Sequence, residues 1–257
     1  MKRFFAVLAM FGGLLTAAGC DSSTPPTQPT QPTTPGSTSV TQVLTGTIAA
    51  GVTPFHSFTV PSGAPLHMML GSLTTPTEAP LGSTVTLVYG VPATDGVTCK
   101  PLAKVSTTAG LKAQFNVLAS AGEYCLAIED LGSVPEGSLY ALRVIYGTPS
   151  EDTSAGIIEY TSSVLAGGAT ARSFPAAVDG TAFVTMIDIL KANVSALGVA
   201  VGFQRNDGSG CHVSLAYVAP RGFSTSIPVD AGRYCVKVFD PGTLSEAVGF
   251  SVRIVHP

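Results

Sequence analysis

The stretch that decides the fold occurs twice: residues 121–146 read AGEYCLAIEDLGSVPEGSLYALRVIY, and residues 231–256 read AGRYCVKVFDPGTLSEAVGFSVRIVH. The two segments align without a gap at an offset of 110 residues. Upstream of them, Cys99 and Cys211 match to within two residues of the same offset. A period of this length indicates two tandem domains, because solenoid repeats are several times shorter.

Apolar residues alternate within each copy as they do in half-buried β-strands. Frequent glycine and proline, with no long segment of helical period, leaves little room for helices. The sequence therefore predicts an all-β protein made of two tandem, jelly-roll-like β-sandwiches of about eight strands each. The alternative is a single closed, membrane-spanning sheet built from both copies. The residues that share the inward face of the strongest strand are Tyr124, Leu126 and Ile128 in copy one, and Tyr234, Val236 and Val238 in copy two.

Each copy contains two cysteines, and four cysteines allow three pairings. The duplication favours disulfides Cys99–Cys125 and Cys211–Cys235, which an oxidising, exported environment permits. Cys125 faces away from Tyr124, so we expect its bond on the outer side of a sheet. A redox or metal role is the alternative, but it lacks a C-x-x-C pair.

The first twenty residues carry an export signal. Lys2 and Arg3 precede an apolar run from Phe4 to Leu15, which is too short to span a bilayer. The segment Ala17-Ala18-Gly19-Cys20 resembles the lipobox of bacterial lipoproteins. The resemblance implies a signal peptide over 1–19 and acylation of Cys20, with palmitate or a similar chain, as the membrane anchor. An exported, membrane-anchored location, facing the periplasm or on the cell surface, follows from it. An ordinary signal peptide is the alternative.

Composition sets the remaining boundaries along the chain. Residues 20–39 are rich in Pro, Thr, Gln and Ser and predict an extended linker. We expect the first sandwich over 40–147, a connection over 148–155 and the second sandwich over 156–257.

Both copies end in the same order of features, a Gly-x-Tyr strand closed by an Asp, then a turn and a final strand. These features are Ala121 to Asp130 followed by Tyr140 to Val144, and Ala231 to Asp240 followed by Phe250 to Ile254. Copy one also opens with Gly46-Thr47-Ile48 leading to Phe55–Val60. This order resembles the bacterial pre-peptidase C-terminal domain, a β-sandwich appended to secreted hydrolases. The resemblance implies a non-catalytic accessory role. Some family members bind calcium or collagen, but no matching acidic cluster is present, so no ligand residue carries over.

The charge balance argues against nucleic acid as a partner. The chain has 13 Lys and Arg against 16 Asp and Glu, a net charge of −3, and no basic run. The motifs of common hydrolases, metalloproteases and nucleotide-binding proteins are absent from the sequence. We therefore predict that the protein is not an enzyme and uses no cofactor and no metal.

Individual polar and aromatic residues carry their own predictions. The histidines His56, His67, His212 and His256 are scattered, and a structural or surface role is expected for each. Asp95-Gly96 and Asp207-Gly208 predict turns, since a calcium site needs more oxygen ligands. Arg143 and Arg253 are expected to form one ion pair per domain, with Glu136 and Glu246 or with Asp130 and Asp240. The aromatic residues considered as a carbohydrate platform are Tyr89, Phe203, Tyr217 and Phe223.

The expected function is that of a lipid-anchored, non-catalytic binding or structural module of the bacterial cell envelope, with a glycan or an envelope protein as partner. One alternative is a carbohydrate- or matrix-binding accessory protein of secreted hydrolases. The other is an enzyme with an unrecognised site.

Overall fold

Sixteen β-strands build the described part of the chain. A computed structural model describes residues 39–49, 51–129, 132–147, 155–208 and 210–257. The predicted signal peptide, the linker up to residue 38 with Cys20, and residues 148–154 of the connection lie outside these residues. The strands of the first copy are β1 Val40–Thr47, β2 Phe55–Val60, β3 Ala64–Thr74, β4 Val85–Pro92, β5 Cys99–Thr107, β6 Phe115–Ala119, β7 Gly122–Glu129 and β8 Leu139–Tyr146. Those of the second are β9 Gly156–Val164, β10 Ala169–Ala176, β11 Gly180–Ile189, β12 Ala196–Gln204, β13 Cys211–Pro220, β14 Ser224–Val229, β15 Gly232–Phe239 and β16 Val248–His256.

The strands form four antiparallel sheets of four strands each. In the first copy, sheet A has the order β1-β8-β3-β6 and sheet B the order β2-β7-β4-β5. In the second copy, sheet C is β9-β16-β11-β14 and sheet D is β10-β15-β12-β13. Adding eight to each strand number turns the strand orders of sheets A and B into those of sheets C and D. The two copies therefore have the same topology. This is the strand order of the eight-stranded jelly roll, and the all-β prediction of two sandwiches is confirmed.

Each sandwich has its own apolar core. The side chains that fill it are those that the strand alternation in the sequence places on the inward faces. In the first core, Leu87 of β4 and Leu126 and Ile128 of β7 are fully buried. In the second core, Val236 and Val238 of β15 are fully buried in the same way. Burial of such side chains stabilises each sandwich by about 2 kcal/mol per residue.

The repeated Gly-x-Tyr motif has the same structural role in both copies. Tyr124 donates a hydrogen bond to the carbonyl oxygen of Ser120, at 3.1 Å. Tyr234 donates to the carbonyl oxygen of Asp230, four residues upstream as well, at 2.7 Å. Each tyrosine hydroxyl therefore stabilises the turn before its strand. The ring of Tyr234 lies in the core of the second sandwich, and the ring of Tyr124 packs against the core of the first.

The two sandwiches belong to one compact unit. Leu111 and Ala141 of the first copy are buried in the core cluster of the second, and Val43 packs against it. Among the residues described, there is no helix of the length and apolarity that crossing a membrane requires.

Candidate functional site

The two sandwiches meet where β3 of sheet A crosses β13 of sheet D. Ser72 of β3 donates a hydrogen bond to the carbonyl oxygen of Val213, at 2.5 Å. Ser214 of β13 donates in return to the carbonyl oxygen of Gly71. Both serines are almost completely buried. Because each hydroxyl satisfies a carbonyl of the other sandwich, these two bonds fix the position of one strand on the other.

A loop of the first sandwich adds an ionic contact to the same face of sheet D. Glu78, in the loop after β3, pairs with Arg205 and with Lys237, whose Nζ lies 2.8 Å from Oε2. Burial raises the pKa of Glu78, but the hydrogen bonds and charges of Lys237 and Arg205 outweigh it, so its pKa lies below the ordinary value. Glu78 has a φ of 64°, a left-handed conformation that non-glycine residues rarely adopt. The contact with two cations accompanies this unusual backbone.

A second loop, between β5 and β6, packs on the turn before β15. The Ala113 amide donates to Oδ2 of Asp230 at 2.6 Å, and the hydroxyl of Tyr234 lies 3.4 Å from the carbonyl oxygen of Leu111. Asp230 is 3% exposed. The aligned residue in copy one is Ser120, so the carboxylate is present only in the copy that receives this loop.

Arg143 occupies the centre of this contact. It is 2% exposed, and its guanidinium carbon lies 5.0 Å from the ring centroid of Tyr234 and 5.8 Å from that of Phe203. Its Nη1 is buried without a hydrogen-bond partner among the described residues. Gly232 gives the guanidinium its room, because a Cβ at that position would overlap it.

A cleft of about 590 Å³ opens beside Arg143. It lies between the start of β1, the end of β12 with its following turn, and the turn before β15. Side chains that line it include Arg143, Arg205, Asn206, Asp207 and Arg233. Three arginines and one aspartate make this a predominantly cationic surface.

The disulfide pairing predicted from the duplication is present. The Cα atoms of Cys99 and Cys125 lie 5.8 Å apart. Strands separated by a third strand lie about 9.5 Å apart in a regular sheet, so the start of β5 folds over β4 to reach β7. Gly90 of β4 permits this approach, because a Cβ there would overlap the backbone of Lys100.

The second bond repeats the geometry, with the Cα atoms of Cys211 and Cys235 at 5.9 Å. Gly202 takes the place of Gly90 beneath it. Cys211 and Cys235 cluster with Ala200 and Val213 outside the main core, as expected for bonds on the outer side of a sheet. In this copy that side faces the first sandwich, since Val213 accepts the hydrogen bond of Ser72.

The two histidines of the first sandwich have separate hydrogen-bond partners. His56 Nε2 lies 2.8 Å from the hydroxyl of Tyr140, and burial lowers the pKa of His56. His67 Nδ1 lies 2.6 Å from Oδ1 of Asn116, on the neighbouring strand.

The histidines of the second sandwich pack on aromatic rings. The ring centroids of His212 and Phe203 are 5.1 Å apart, and those of His256 and Phe174 are 6.1 Å apart. Burial, and then the charge of Arg205, lowers the pKa of His212. Within the described ranges, no group of three or more His, Cys, Asp or Glu side chains could hold a metal ion.

In the second copy, the prediction that Arg253 pairs with Glu246 or Asp240 is wrong. Arg253 pairs with Glu159 of the neighbouring strand, at 2.7 Å, while Glu246 pairs with Lys191. The carboxylate of Asp240 instead accepts backbone N–H groups, of Gly167 and of residues 242–244. In copy one, Arg143 lies in the contact between the sandwiches, Glu136 is exposed, and Asp130 lies outside the described residues.

The two Asp-Gly segments are turns, as predicted. Gly96 and Gly208 have φ values of 70° and 72°. Asp95 accepts hydrogen bonds from the backbone of Val97 and Thr98, both at 2.9 Å. These bonds, with a stronger effect from the Thr98 hydroxyl, lower the pKa of Asp95.

The aromatic residues considered as a carbohydrate platform are not exposed. Tyr89 is 6% exposed and Phe203 is 1% exposed, and both lie in core clusters. Tyr217 and Phe223 are half-buried and pack on each other, with ring centroids 5.4 Å apart.

No family model matches this chain, and no curated protein matches it. Among solved structures, PNGase F, a glycosylasparaginase from Flavobacterium meningosepticum, is 11% identical, with 85% of this chain and 96% of that chain covered and a TM-score of 0.29. The turret protein A223 of Sulfolobus turreted icosahedral virus is also 11% identical, with 86% and 100% covered and a TM-score of 0.27. Likenesses this weak indicate neither the fold nor the function of this chain.

Sequence reasoning missed the contact between the sandwiches and the role of Arg143 in it. A signal for it is present in the aligned positions around that residue. Where Arg143 has Val43 and Met69 as cross-strand neighbours, Arg253 has Glu159 and Thr185. Apolar neighbours around a strand arginine mark a face that another surface covers.

Proposed function

We propose that this protein is an exported, lipid-anchored, non-catalytic binding module of the bacterial cell envelope, in which two jelly rolls act as one unit. The observation that carries the proposal is the use of cysteine. Four of the five cysteines form two disulfides, one within each sandwich, as oxidising compartments allow. Cys20 remains as the cysteine available for acylation, at the end of an apolar leader.

The arrangement of polar residues also supports a non-catalytic role. Ser72 and Ser214 hold one sandwich on the other, and Glu78 is engaged by two cations. The order of sequence features around Gly-x-Tyr, which resembles that of the pre-peptidase C-terminal domain, fits an accessory module. The four aromatic residues considered for carbohydrate binding are buried or half-buried, which gives that alternative no support.

Metabolic labelling with a palmitate analogue in a bacterial host tests the anchor. We expect the wild-type chain to be labelled and to sediment with membranes, while Cys20→Ala loses the label. Ser22→Ala, two residues away, serves as the matched control and should keep it. An unlabelled wild-type chain, or a labelled Cys20→Ala variant, would refute the lipid anchor.

Broad activity-based probes test the non-catalytic part of the proposal. The purified full chain is treated with serine-, cysteine- and carboxylate-directed reagents and examined by intact mass. We expect no stoichiometric adduct. An adduct on one residue that heat denaturation abolishes would identify an enzyme instead.

A further inference from the structure

We infer that the cleft beside Arg143 binds an oxyanion, the carboxylate, phosphate or sulfate group of a ligand. The inference names a ligand class for the module proposed above and rests on that proposal for its biological setting. Its physical basis lies wholly in the described residues.

Within the described residues, the guanidinium of Arg143 has one hydrogen-bond donor without a partner. Arg143 is 2% exposed, yet its Nη1 has no hydrogen-bond partner in the described part of the chain. Burying a charge is costly unless it is paired and hydrogen-bonded. The rings of Tyr234 and Phe203 stabilise the guanidinium through its faces, and Arg143 also forms a hydrogen bond with the side chain of Tyr234, but Nη1 is left without an acceptor among the described residues. Because Arg143 lines the adjoining cleft, an anion bound there supplies acceptor atoms for the guanidinium.

The guanidinium of Arg143 is also held in place before any ligand binds. Arg143 projects from the middle of β8, a strand that is paired on both sides. Two aromatic rings lie near its guanidinium, and Gly232 leaves space for it. A guanidinium fixed in this way loses little freedom when it binds, and its planar fork suits a two-oxygen acceptor.

The cleft has the size of a site for a small ligand. Its volume of about 590 Å³ lies within the range of small-ligand sites. Arg233 and Asn206 also line the cleft. Arg205 is already engaged by Glu78, and Asp207 also lines the cleft. The carboxylate of Asp207 opposes a highly charged anion, so a single oxyanion group fits better than a polyanion.

The duplication provides an internal control for this site. Arg253 occupies the aligned position in the second copy, but it is half exposed and pairs with Glu159 at 2.7 Å. A surface arginine that already has its carboxylate has little to gain from a further anion. Arg253→Met therefore removes the same charge from the protein at a position where no anion site is expected, which controls for general attraction of anions to the protein.

Calorimetric titration of the full chain in mild detergent tests the inference. Inorganic phosphate and acetate are the probes, with chloride at matched ionic strength as the reference. We expect saturable binding of at least one probe with a Kd of about 1 mM, and the two arms tell phosphate from carboxylate preference. Arg143→Met should weaken binding at least about tenfold, a loss of about 1.4 kcal/mol. Arg253→Met should leave the Kd unchanged.

Arg233→Gln provides a second variant in case Arg143→Met fails to fold, and it should weaken binding severalfold. Absence of saturable binding for both probes would overturn the inference. Equal weakening by Arg143→Met and Arg253→Met would overturn it too, because it would show diffuse attraction only. Either result leaves the palmitate-labelling test of the anchor unaffected, so the two proposals can fail separately.

Discussion

Two arginines at aligned positions of the duplicated sandwich have opposite environments. Arg143, on sheet A, is 2% exposed and faces the other sandwich. The side chain of Arg253, on sheet C, is 49% exposed and pairs with Glu159. On the strand beside Arg143, the residue in place of Glu159 is Val43. A duplicated backbone thus presents one covered face and one solvent face, and cross-strand neighbours decide which is which.

The β-bulges of β3 and β11 show the same difference between a face covered by the other sandwich and a face exposed to solvent. Each strand shifts register at one position, which is Gly71 in β3 and Ile187 in β11. At Gly71 the ring of Phe203 from the other sandwich comes so close that a Cβ would overlap it. At Ile187 the side chain is only half-buried. Glycine is therefore needed at position 71 because the two sandwiches are in contact there, and not because the strand has a bulge.

Exchanging these bulge residues should give the largest effect. Gly71→Ile would drive a branched side chain into Phe203 and should destabilise the protein by about 3 kcal/mol. Ile187→Gly removes a half-buried side chain and should cost about 1 kcal/mol. Urea unfolding of the two variants measures the difference. Equal costs would show that the sandwiches are not held together at this point.

The reciprocal serine bonds come next. Ser72→Ala and Ser214→Ala each leave a buried carbonyl without its donor and should cost about 1–2 kcal/mol. The double variant should cost less than the sum, since the two bonds join the same pair of strands. Thr161→Ala, on exposed β9 of sheet C, is the control and should be neutral in urea unfolding. Full additivity would mean that the two bonds act independently.

Glu78 should make the contact sensitive to pH. Its pKa is depressed, so its contribution is present above the ordinary glutamate pKa and is lost as the pH falls through the depressed value in the folded state. Glu78→Gln should cost about 1 kcal/mol at neutral pH, after allowance for its partial exposure. The difference from wild type should vanish in acid, as unfolding at a series of pH values would show. A difference that persists in acid would assign the effect to packing.

Removing the exposed pair on sheet C should have the smallest effect. Arg253→Met breaks a surface ion pair with Glu159 and should change the free energy of unfolding by about 0.5 kcal/mol or less. Thermal unfolding at low and high salt measures it, and the small difference should shrink at high salt. A loss of unfolding free energy as large as that of Gly71→Ile would contradict the conclusion that the outer face of sheet C is exposed to solvent.

Much of the architecture could be predicted from the sequence, because it follows from local patterns. Strand alternation placed Leu126 and Val236 in their cores, and the constant offset chose the pairing Cys99–Cys125 over its alternatives. The turns at Gly96 and Gly208 followed from their Asp-Gly pairs. Each of these features depends on neighbours in one strand or on one repeat compared with the other.

The ion pairs could not be predicted in this way. The expectation for Arg253 relied on carboxylates at recurring positions, but the true partner, Glu159, is on the adjacent strand, 94 residues away. Beside Arg143, Val43 occupies the place of Glu159, so that position offers no carboxylate. Register between strands, which decides such pairs, is not encoded in the repeat itself.

The sequence by itself determined an all-β chain of two similar copies, each with its own disulfide, because period-two alternation and duplication are properties of the linear order. Only the tertiary structure decided that the outer face of sheet A packs on sheet D and that Arg253 and Glu159, on the outer face of sheet C, are exposed to solvent. The physical reason is that this contact depends on side chains brought together from distant strands. Arg143 and its aromatic neighbours Phe203 and Tyr234 meet only after both sandwiches have formed, and the cationic cleft exists only where they meet.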